Sequence, residues 1–297
     1  MAAPLDLPRL RPLDLLVAAG VNLLWGLNIV AVKLALDGAG PFTAGVLRQL
    51  ILLLACLTAL RAVPGRMREL AAFGALFGGL FILLVNLSLV HADNVGALAI
   101  AGQLGVPFAL LLAWAVLGER IARAKLVGML LAFAGVGALL FDPAILDERA
   151  GVLLTLGASA IWAGGSLIQR RLKDVPLRTV YAWLGLLGAL LLLPFAWALE
   201  WRGGAAAPGF ATVGWIAYSA IGSTLGGHGG MTWLLRRHSI GTVVPLTLGA
   251  PVVGVAASAW WFGEPVTATM VAGGAVALLG VGLIARAGAR EGAAAER

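Results

Sequence analysis

Residues 104–119 read LGVPFALLLAWAVLGE, and residues 248–264 repeat this pattern as LGAPVVGVAASAWWFGE with one inserted residue. Both copies begin with Leu-Gly, carry a proline at the fourth position and end with Gly-Glu. Two further pairs match in the same order along the chain: WGLNIVAVK (25–33) with WAGGSLIQR (162–170), and LVGMLLAFAGVGALL (126–140) with MVAGGAVALLGVGLI (270–284). The sequence therefore predicts two related halves, residues 14–141 and residues 150–286.

The composition places both halves in a membrane. Hydrophobic residues make up 61% of the 297-residue chain and charged residues 12%, whereas soluble domains carry about 25% charged residues. Cutting the chain at charges and turns leaves ten apolar segments of about 18 to 24 residues, each long enough to cross a bilayer as a helix. We predict an all-α integral membrane protein with ten transmembrane helices, at 14–36, 41–61, 69–90, 95–117, 124–141, 150–171, 178–200, 211–235, 241–262 and 267–286.

The basic residues predict the orientation. Seventeen of the twenty-one Lys and Arg residues fall in the two termini and in every second loop, so both termini should be cytoplasmic. Five spans per half is an odd number, and the second half must then enter the membrane from the opposite side. The first Gly-Glu pair is followed by basic RIARAK and the second by uncharged PVTATM, as this inversion requires. Inverted repeats suit alternating access around a substrate site near the midplane.

The WGxNxxxxK pattern at 25–33 and the duplicated P…GE segments also carry a family resemblance. In order, spacing and duplication they resemble the drug/metabolite transporter superfamily, in particular its EamA-type members, over residues 14–286. Within that family the layout is similar to bacterial exporters of amino acids, especially the aromatic amino-acid exporter branch. The resemblance implies a multi-pass protein of the bacterial inner membrane that exports small metabolites and needs no cofactor.

Two tryptophans suggest where a solute binds. Trp25 and Trp162 lie at the centres of their spans and at equivalent places in the two halves, whereas the other eight fall near span ends. Asn28 and Ser166 follow one turn later on the same helix faces. We interpret the pair as aromatic walls of a central cavity, and the alternative is ordinary packing.

Two prolines lie at a similar depth. Pro107 and Pro251 should each free the carbonyl four residues earlier, that of Gln103 and that of Thr247. Such carbonyls are tolerated in a span where they line a cavity or pack on protein. Simple structural kinks are the other interpretation.

The segment GALFGG (74–79) aligns with GSTLGG (222–227), a spacing of small residues that lets helices approach closely. After it, the second half has His228-Gly229-Gly230 where the first has Leu80-Phe81-Ile82. This loss of bulk predicts an open cavity wall, although His228 could instead be a buried residue bonded to a carbonyl. The predicted substrate-binding residues are Trp25, Asn28, Gly78, Gly79, Gln103, Trp162, Gly165, Ser166, Thr224, Gly227, His228 and Thr247.

The charged residues narrow the solute. All fourteen Asp and Glu residues lie in loops or at helix ends, which disfavours cationic-drug antiport, and no central Lys/Arg cluster could hold a phosphate. Lys33 should extend its ammonium to the membrane surface, and Arg48 either ties helices together or contacts a substrate carboxylate. With Pro107 and Pro251, these two form the predicted gating or structural set. A neutral or zwitterionic solute, such as an amino acid, fits best.

Other functions are less well supported. GGSL at 164–167 fails the Gly-x-Ser-Gly pattern of a rhomboid-type protease, and neither Asp-rich motifs nor His-Glu-x-x-His occurs, so we expect no enzyme and no metal site. An exporter of other metabolites or drugs, an intramembrane enzyme and a passive channel remain the alternatives.

The expected partners are a small-molecule substrate and the lipid bilayer, with no nucleic acid. We expect a monomer or weak homodimer, because the Gly/Ala pattern of the fifth and tenth spans can pair within or between chains.

Overall fold

The computed structural model describes residues 10–143, 148–238 and 240–295, and these residues form helices and turns without any strand. Apolar runs become helices because a helix satisfies its own backbone hydrogen bonds in a medium that offers none. The helices are α1 (Pro12–Leu36), α2 (Pro41–Ala59), α3 (Met67–Val90), α4 (Val95–Leu117), α5 (Arg123–Leu139), α6 (Arg149–Arg171), α7 (Leu177–Gly203), α8 (210–235), α9 (Ile240–Leu246), α10 (Gly249–Phe262) and α11 (Ala268–Ala295).

Seven of these helices are long and apolar enough to cross a membrane: α1, α2, α3, α4, α6, α7 and α11. The predicted spans 124–141 and 211–235 are also helical, as α5 and α8. The predicted span 241–262 is not one helix, because a turn at residues 247 and 248 separates α9 from α10. This turn lies just before Pro251, where the missing proline amide interrupts the helical bonds.

The equivalent break in α4 is a 3₁₀ turn at Gly102–Leu104, just before Pro107. At the second break the chain tightens, and the Thr247 carbonyl accepts from the Ala250 amide at 3.3 Å. The prediction of a free carbonyl is therefore wrong at Thr247, because a local turn replaces the lost helical bond.

Glycines allow the closest helix contact, between α5 and α11. A Cβ atom on Gly128 would lie 2.6 Å from the Gly280 carbonyl, and Gly135 meets the Gly273 carbonyl in the same way. Residue numbers rise along α5 as they fall along α11, so the two helices are antiparallel. The Gly/Ala pattern predicted from the sequence thus serves a contact within one chain.

The loops gather at two opposite ends of the helix bundle. At one end, Arg66 pairs with Asp174 at 3.0 Å and Arg170 pairs with Glu119 at 3.1 Å, which joins three loops rich in Arg and Lys. We call this the basic end. At the other, acidic end, the Asn94 amide nitrogen donates to the Pro265 carbonyl at 3.2 Å.

The two Gly-Glu turns that close α4 and α10 share one backbone conformation. Gly118 and Gly263 have φ values of +67° and +69°, in the left-handed region that only glycine adopts easily. Glu119 lies at the basic end and contacts Arg170, whereas Glu264 lies at the acidic end and accepts from the Gly96 amide at 3.1 Å. The repeated turns therefore lie at opposite ends of the bundle.

Candidate functional site

Trp25 packs against α8 inside the bundle. Its indole Nε1 donates to the Ser223 carbonyl at 3.2 Å, and its ring meets the His228 ring edge-on at a centroid distance of 5.3 Å. Tyr181 of α7 makes a second edge-on contact with His228, at 6.0 Å. Three aromatic rings from α1, α7 and α8 thus surround one point of the bundle.

The space beside Gly227 is occupied. A Cβ atom there would lie 2.6 Å from Trp25 Cδ1 and would also collide with Nε1. The opening predicted from His228-Gly229-Gly230 therefore does not extend to Gly227, because the side chain that this glycine lacks is replaced by an indole from α1. Gly229 is different, since a Cβ atom on it would meet nothing within 4 Å.

Arg48 of α2 also contacts α8, the helix that carries His228. Its Nε donates to the Ser219 hydroxyl at 3.0 Å, and a terminal nitrogen donates to the Thr224 hydroxyl at 2.9 Å. Thr224 also donates to the Ser219 carbonyl at 3.1 Å, across five residues. Arg48 therefore does tie two helices together, and it does so deep in the bundle rather than at helix ends.

Trp162 lies in a different part of the bundle. It covers Gly105 of α4, where a Cβ atom would come within 3.0 Å of its ring, and its carbonyl accepts from Ser166 at 2.9 Å. Gly165 packs on Phe77 of α3. The two tryptophans pack on different helices, Trp25 on α8 and Trp162 on α4.

The other predicted positions divide between packing and polar roles. A Cβ atom on Gly78 would lie 2.5 Å from the Leu184 carbonyl, and one on Gly79 would lie 2.8 Å from Leu191, so both glycines serve contact with α7. The Gln103 amide reaches only its own helix, at 3.5 Å from the Ala99 carbonyl. The Asn28 side-chain oxygen is buried and has no hydrogen-bond partner among the described residues.

A vestibule opens at the basic end between α6, α7 and α8. One cavity of about 560 Å³ is lined by Ser166, Thr232, Arg170, Lys173, Asp174 and Arg236, among others. An adjoining cavity of about 710 Å³ adds Gly229, Trp233 and Arg237. A hydrogen bond from Arg66 lowers the pKa of Asp174, which keeps this carboxylate ionised among the cations. Of the predicted residues, Ser166 lines this vestibule.

Carboxylates accept from backbone amides at the acidic end. Glu200 accepts from the amides of Phe42 and Thr43 at 2.9 and 2.8 Å, and Glu148 accepts from those of Asp93 and Asn94 at 2.8 and 3.0 Å. Glu200 caps the start of α2, where amides lack helical partners, and Glu148 holds the turn that leads into α4. Burial raises the pKa of Glu148, and its two amide hydrogen bonds oppose that rise.

Lys33 lies at the acidic end. Its ammonium donates to the carbonyls of Leu89 at 2.7 Å and Ala92 at 2.6 Å, near the end of α3. Lys33 is therefore held by protein acceptors, which the sequence did not predict. The final carbonyls of a helix lack helical partners, and these provide the acceptors that Lys33 needs.

Sequence reasoning missed three features of the region. Tyr181 and Ser219 were not among the predicted residues, although a tyrosine within an apolar span is a visible signal in a chain with only two. The third feature is π-helical backbone within two of the helices. The backbone is π-helical at Gly74–Phe81 in α3 and at Tyr218–Gly227 in α8, which are the two glycine-rich segments that align between the halves. Short π-helical segments are frequent at functional sites.

Long apolar helices whose loops gather at two opposite ends define a polytopic membrane protein. Residues 13–141 and again residues 149–286 match the EamA-like transporter family, and the chain belongs to that family. It is a membrane transporter.

Relatives with named functions are similar over nearly the whole chain. A probable amino-acid metabolite efflux pump of Salmonella typhimurium is 27% identical over 281 residues, covering 90% of this chain and 93% of the relative. A protein of Escherichia coli with the same description is 26% identical over 278 residues, with the same coverage of both chains. A solved crystal structure that covers 95% of this chain and 99% of its own has a TM-score of 0.64 at 20% identity, so it shares the fold.

Proposed function

We propose that this protein exports small neutral or zwitterionic metabolites, most of all amino acids including aromatic ones, from bacterial cytoplasm. In this proposal ten transmembrane helices form two inverted repeats, residues 14–141 and 150–286, that alternate access to a site between them. The observation that carries the proposal is the contrast between the two ends of the bundle. One end holds an open vestibule, and at the other end Glu200 caps α2 and Lys33 donates to two carbonyls near the end of α3.

The pairing of helices supports the inverted repeat. We take α9 and α10 together as the ninth span. In the structure α1 packs on the ninth span, and α4 packs on α6. Because α1 corresponds to α6 and α4 corresponds to the ninth span, exchanging the two halves converts one of these pairs into the other. Two pairs contain equivalent helices, α2 with α7 and α5 with α11, and both run antiparallel. A pseudo-twofold axis in the membrane plane, as in other inverted-repeat transporters, produces this pattern.

The composition of the interior supports the solute class. Indole, phenol and imidazole rings offer apolar surface, and the hydroxyls, amides and one guanidinium nearby can pair with an ammonium or a carboxylate. The amino-acid metabolite efflux described for the two relatives agrees with this choice.

Reconstitution tests the proposal. Purified protein in sealed liposomes should move labelled amino acids in preference to sugars and nucleobases. We expect this flux to persist when the pH gradient and the membrane potential are both collapsed, because every Asp and Glu residue lies in a loop or near a helix end. The measurement is release of labelled phenylalanine along its own concentration gradient, with protein-free liposomes as the control.

Each other outcome has a distinct meaning. Flux that stops without a pH gradient and potential, despite a solute gradient, contradicts facilitated transport. Movement of sugars or nucleobases alone favours an exporter of other metabolites. Chemical conversion of the solute without net flux favours an enzyme.

The orientation is tested by cysteine labelling. In a Cys56→Ala background, Arg120→Cys and Val266→Cys place single thiols beside the two Gly-Glu turns, at exposed positions. A membrane-impermeant maleimide should label Val266→Cys in intact cells and Arg120→Cys only after permeabilisation, because basic loops stay in the cytoplasm. Labelling of both from the same side would contradict the inverted repeat.

A further inference from the structure

Arg48 is a cation inside the bundle with no carboxylate beside it. It lies seven residues into α2, roughly 10 Å along the axis from Pro41 at about 1.5 Å per residue. Its hydrogen-bond partners among the described residues are two hydroxyls, those of Ser219 and Thr224. Among the described residues, no Asp or Glu forms an ion pair with Arg48.

A cation at such a depth needs more than two hydroxyls. Ionised side chains in a span are costly unless they pair or contact water, and hydroxyl dipoles do not neutralise a charge. Lys33 shows how this chain satisfies a cation for purely structural purposes, with two carbonyls at a helix end. Arg48 has no such arrangement, and three of its five N–H groups remain for a ligand.

Two side chains that interact electrostatically with this guanidinium, those of Tyr181 and His228, carry polar atoms without a hydrogen-bond partner among the described residues. Tyr181 is 3% exposed, its hydroxyl has no hydrogen-bond partner among the described residues, and it interacts electrostatically with Arg48. The carbonyls of Ser223 and Thr224 lie near the His228 ring, but its buried Nδ1 makes no hydrogen bond of ordinary length and angle. A buried phenol that donates to nothing usually indicates a missing partner, because desolvating a hydroxyl is unfavourable.

The vestibule leads toward this cluster along α8. Thr232 and Gly229 line the vestibule, and the Thr232 hydroxyl donates to the His228 carbonyl at 2.7 Å. His228 is the next residue inward from Gly229, and Thr224 lies one turn further. A solute that enters at the basic end would therefore meet His228 before Arg48.

We propose that Arg48 binds the carboxylate of the transported solute, with the Tyr181 hydroxyl as a second donor. The rings of Trp25 and His228 then pack against the apolar part of the solute, and the unpaired Asn28 oxygen, one turn from Trp25, accepts from its ammonium. This inference rests on the proposed transport function and narrows its substrates to solutes that carry a carboxylate. Neutral sugars, nucleobases and amines are excluded.

Competition in liposomes tests this selectivity. Labelled phenylalanine is the transported probe, and unlabelled phenylalanine, 3-phenylpropionate and phenylalaninamide are the competitors. The wild-type protein should be inhibited by both carboxylates and at least about tenfold more weakly by the amide, as expected when a hydrogen bond to a charged group is lost. Equal inhibition by the amide would overturn the inference while leaving amino-acid transport intact, and no transport of phenylalanine would overturn the proposed function itself.

Variants assign the selectivity to the two residues. Arg48→Gln should lower phenylalanine flux about tenfold or more and remove the preference for carboxylates, and Arg48→Lys should restore part of both. Tyr181→Phe removes only the unpaired hydroxyl and should reduce the preference without loss of folded protein. Lys33→Gln, at the other cation inside a span, should leave the preference unchanged. The assignment is contradicted if folded Arg48→Gln keeps its full carboxylate preference. It is also contradicted if the single variants Tyr181→Phe and Arg48→Lys both keep it.

Discussion

Gly135→Leu is expected to destabilise the protein more than any other single substitution proposed for it. A Cβ atom at this position would lie 2.6 Å from the Ala277 backbone nitrogen, and the Gly273 carbonyl is closer still. Backbone atoms cannot move aside by changing a rotamer, so α5 and α11 would have to separate. Overpacking costs about 1 to 3 kcal/mol, and we expect the upper end of that range here.

The melting temperature in detergent should therefore fall by about 6–12 °C, at about 2–4 °C per kcal/mol for a chain of this size. Gly137→Leu is the matched control, because a Cβ atom on Gly137 meets nothing within 4 Å and the residue lies on the same helix. Its melting temperature should stay close to that of the wild type. Equal melting temperatures for the two variants would show that α5 and α11 do not pack through this contact.

The sequence was sufficient to predict features that repeat. The duplicated segments led to the two Gly-Glu turns at opposite ends, and the glycine pattern of 128, 135, 273 and 280 led to the contact between α5 and α11. Such features depend on local chemistry that recurs at fixed spacing. Small residues at helical spacing have few roles in an apolar span other than close helix contact.

The interior of the site was predicted less well. A glycine shows where a side chain is absent, but it does not show what enters the space, and at Gly227 the answer is an indole from a helix about 200 residues away in the chain. The acceptors of Lys33 were missed for a similar reason, because they belong to the end of α3. Contacts between distant segments carry no signal in a single sequence.

The breaks in the helices were predicted in position but not in their consequence. Pro107 and Pro251 gave the positions of both irregular turns correctly, since a proline removes a specific amide. The consequence for Thr247 was wrong, because the chain can tighten into a turn and pair the same carbonyl again. The position of a lost bond is local, whereas its replacement depends on the geometry that the surrounding helices impose.

The contact between Trp25 and Gly227 connects packing to transport, and Gly227→Ala is expected to have the largest effect on flux outside the Arg48 cluster. The added methyl group would collide with the indole and force it away from its bond to the Ser223 carbonyl and from the His228 ring. Since Trp25 and His228 form the apolar walls of the proposed site, phenylalanine flux should fall about tenfold, the loss of roughly 1.4 kcal/mol of binding. Folded protein should still be recovered, because one methyl group displaces one side chain.

A second substitution should reverse this loss. Trp25→Leu removes the indole nitrogen that the Gly227→Ala methyl group would strike and leaves a smaller aliphatic side chain, so the double variant should regain part of the flux. Gly214→Ala is the control on the same helix, since a Cβ atom there meets nothing within 4 Å. The measurement is phenylalanine flux in liposomes for the four variants at equal amounts of folded protein. Full flux in Gly227→Ala, or a double variant no better than Gly227→Ala alone, would show that the position of Trp25 does not limit transport. Flux that is low in Gly227→Ala and higher in the double variant would identify the fit between α1 and α8 as the feature that sets the shape of the site.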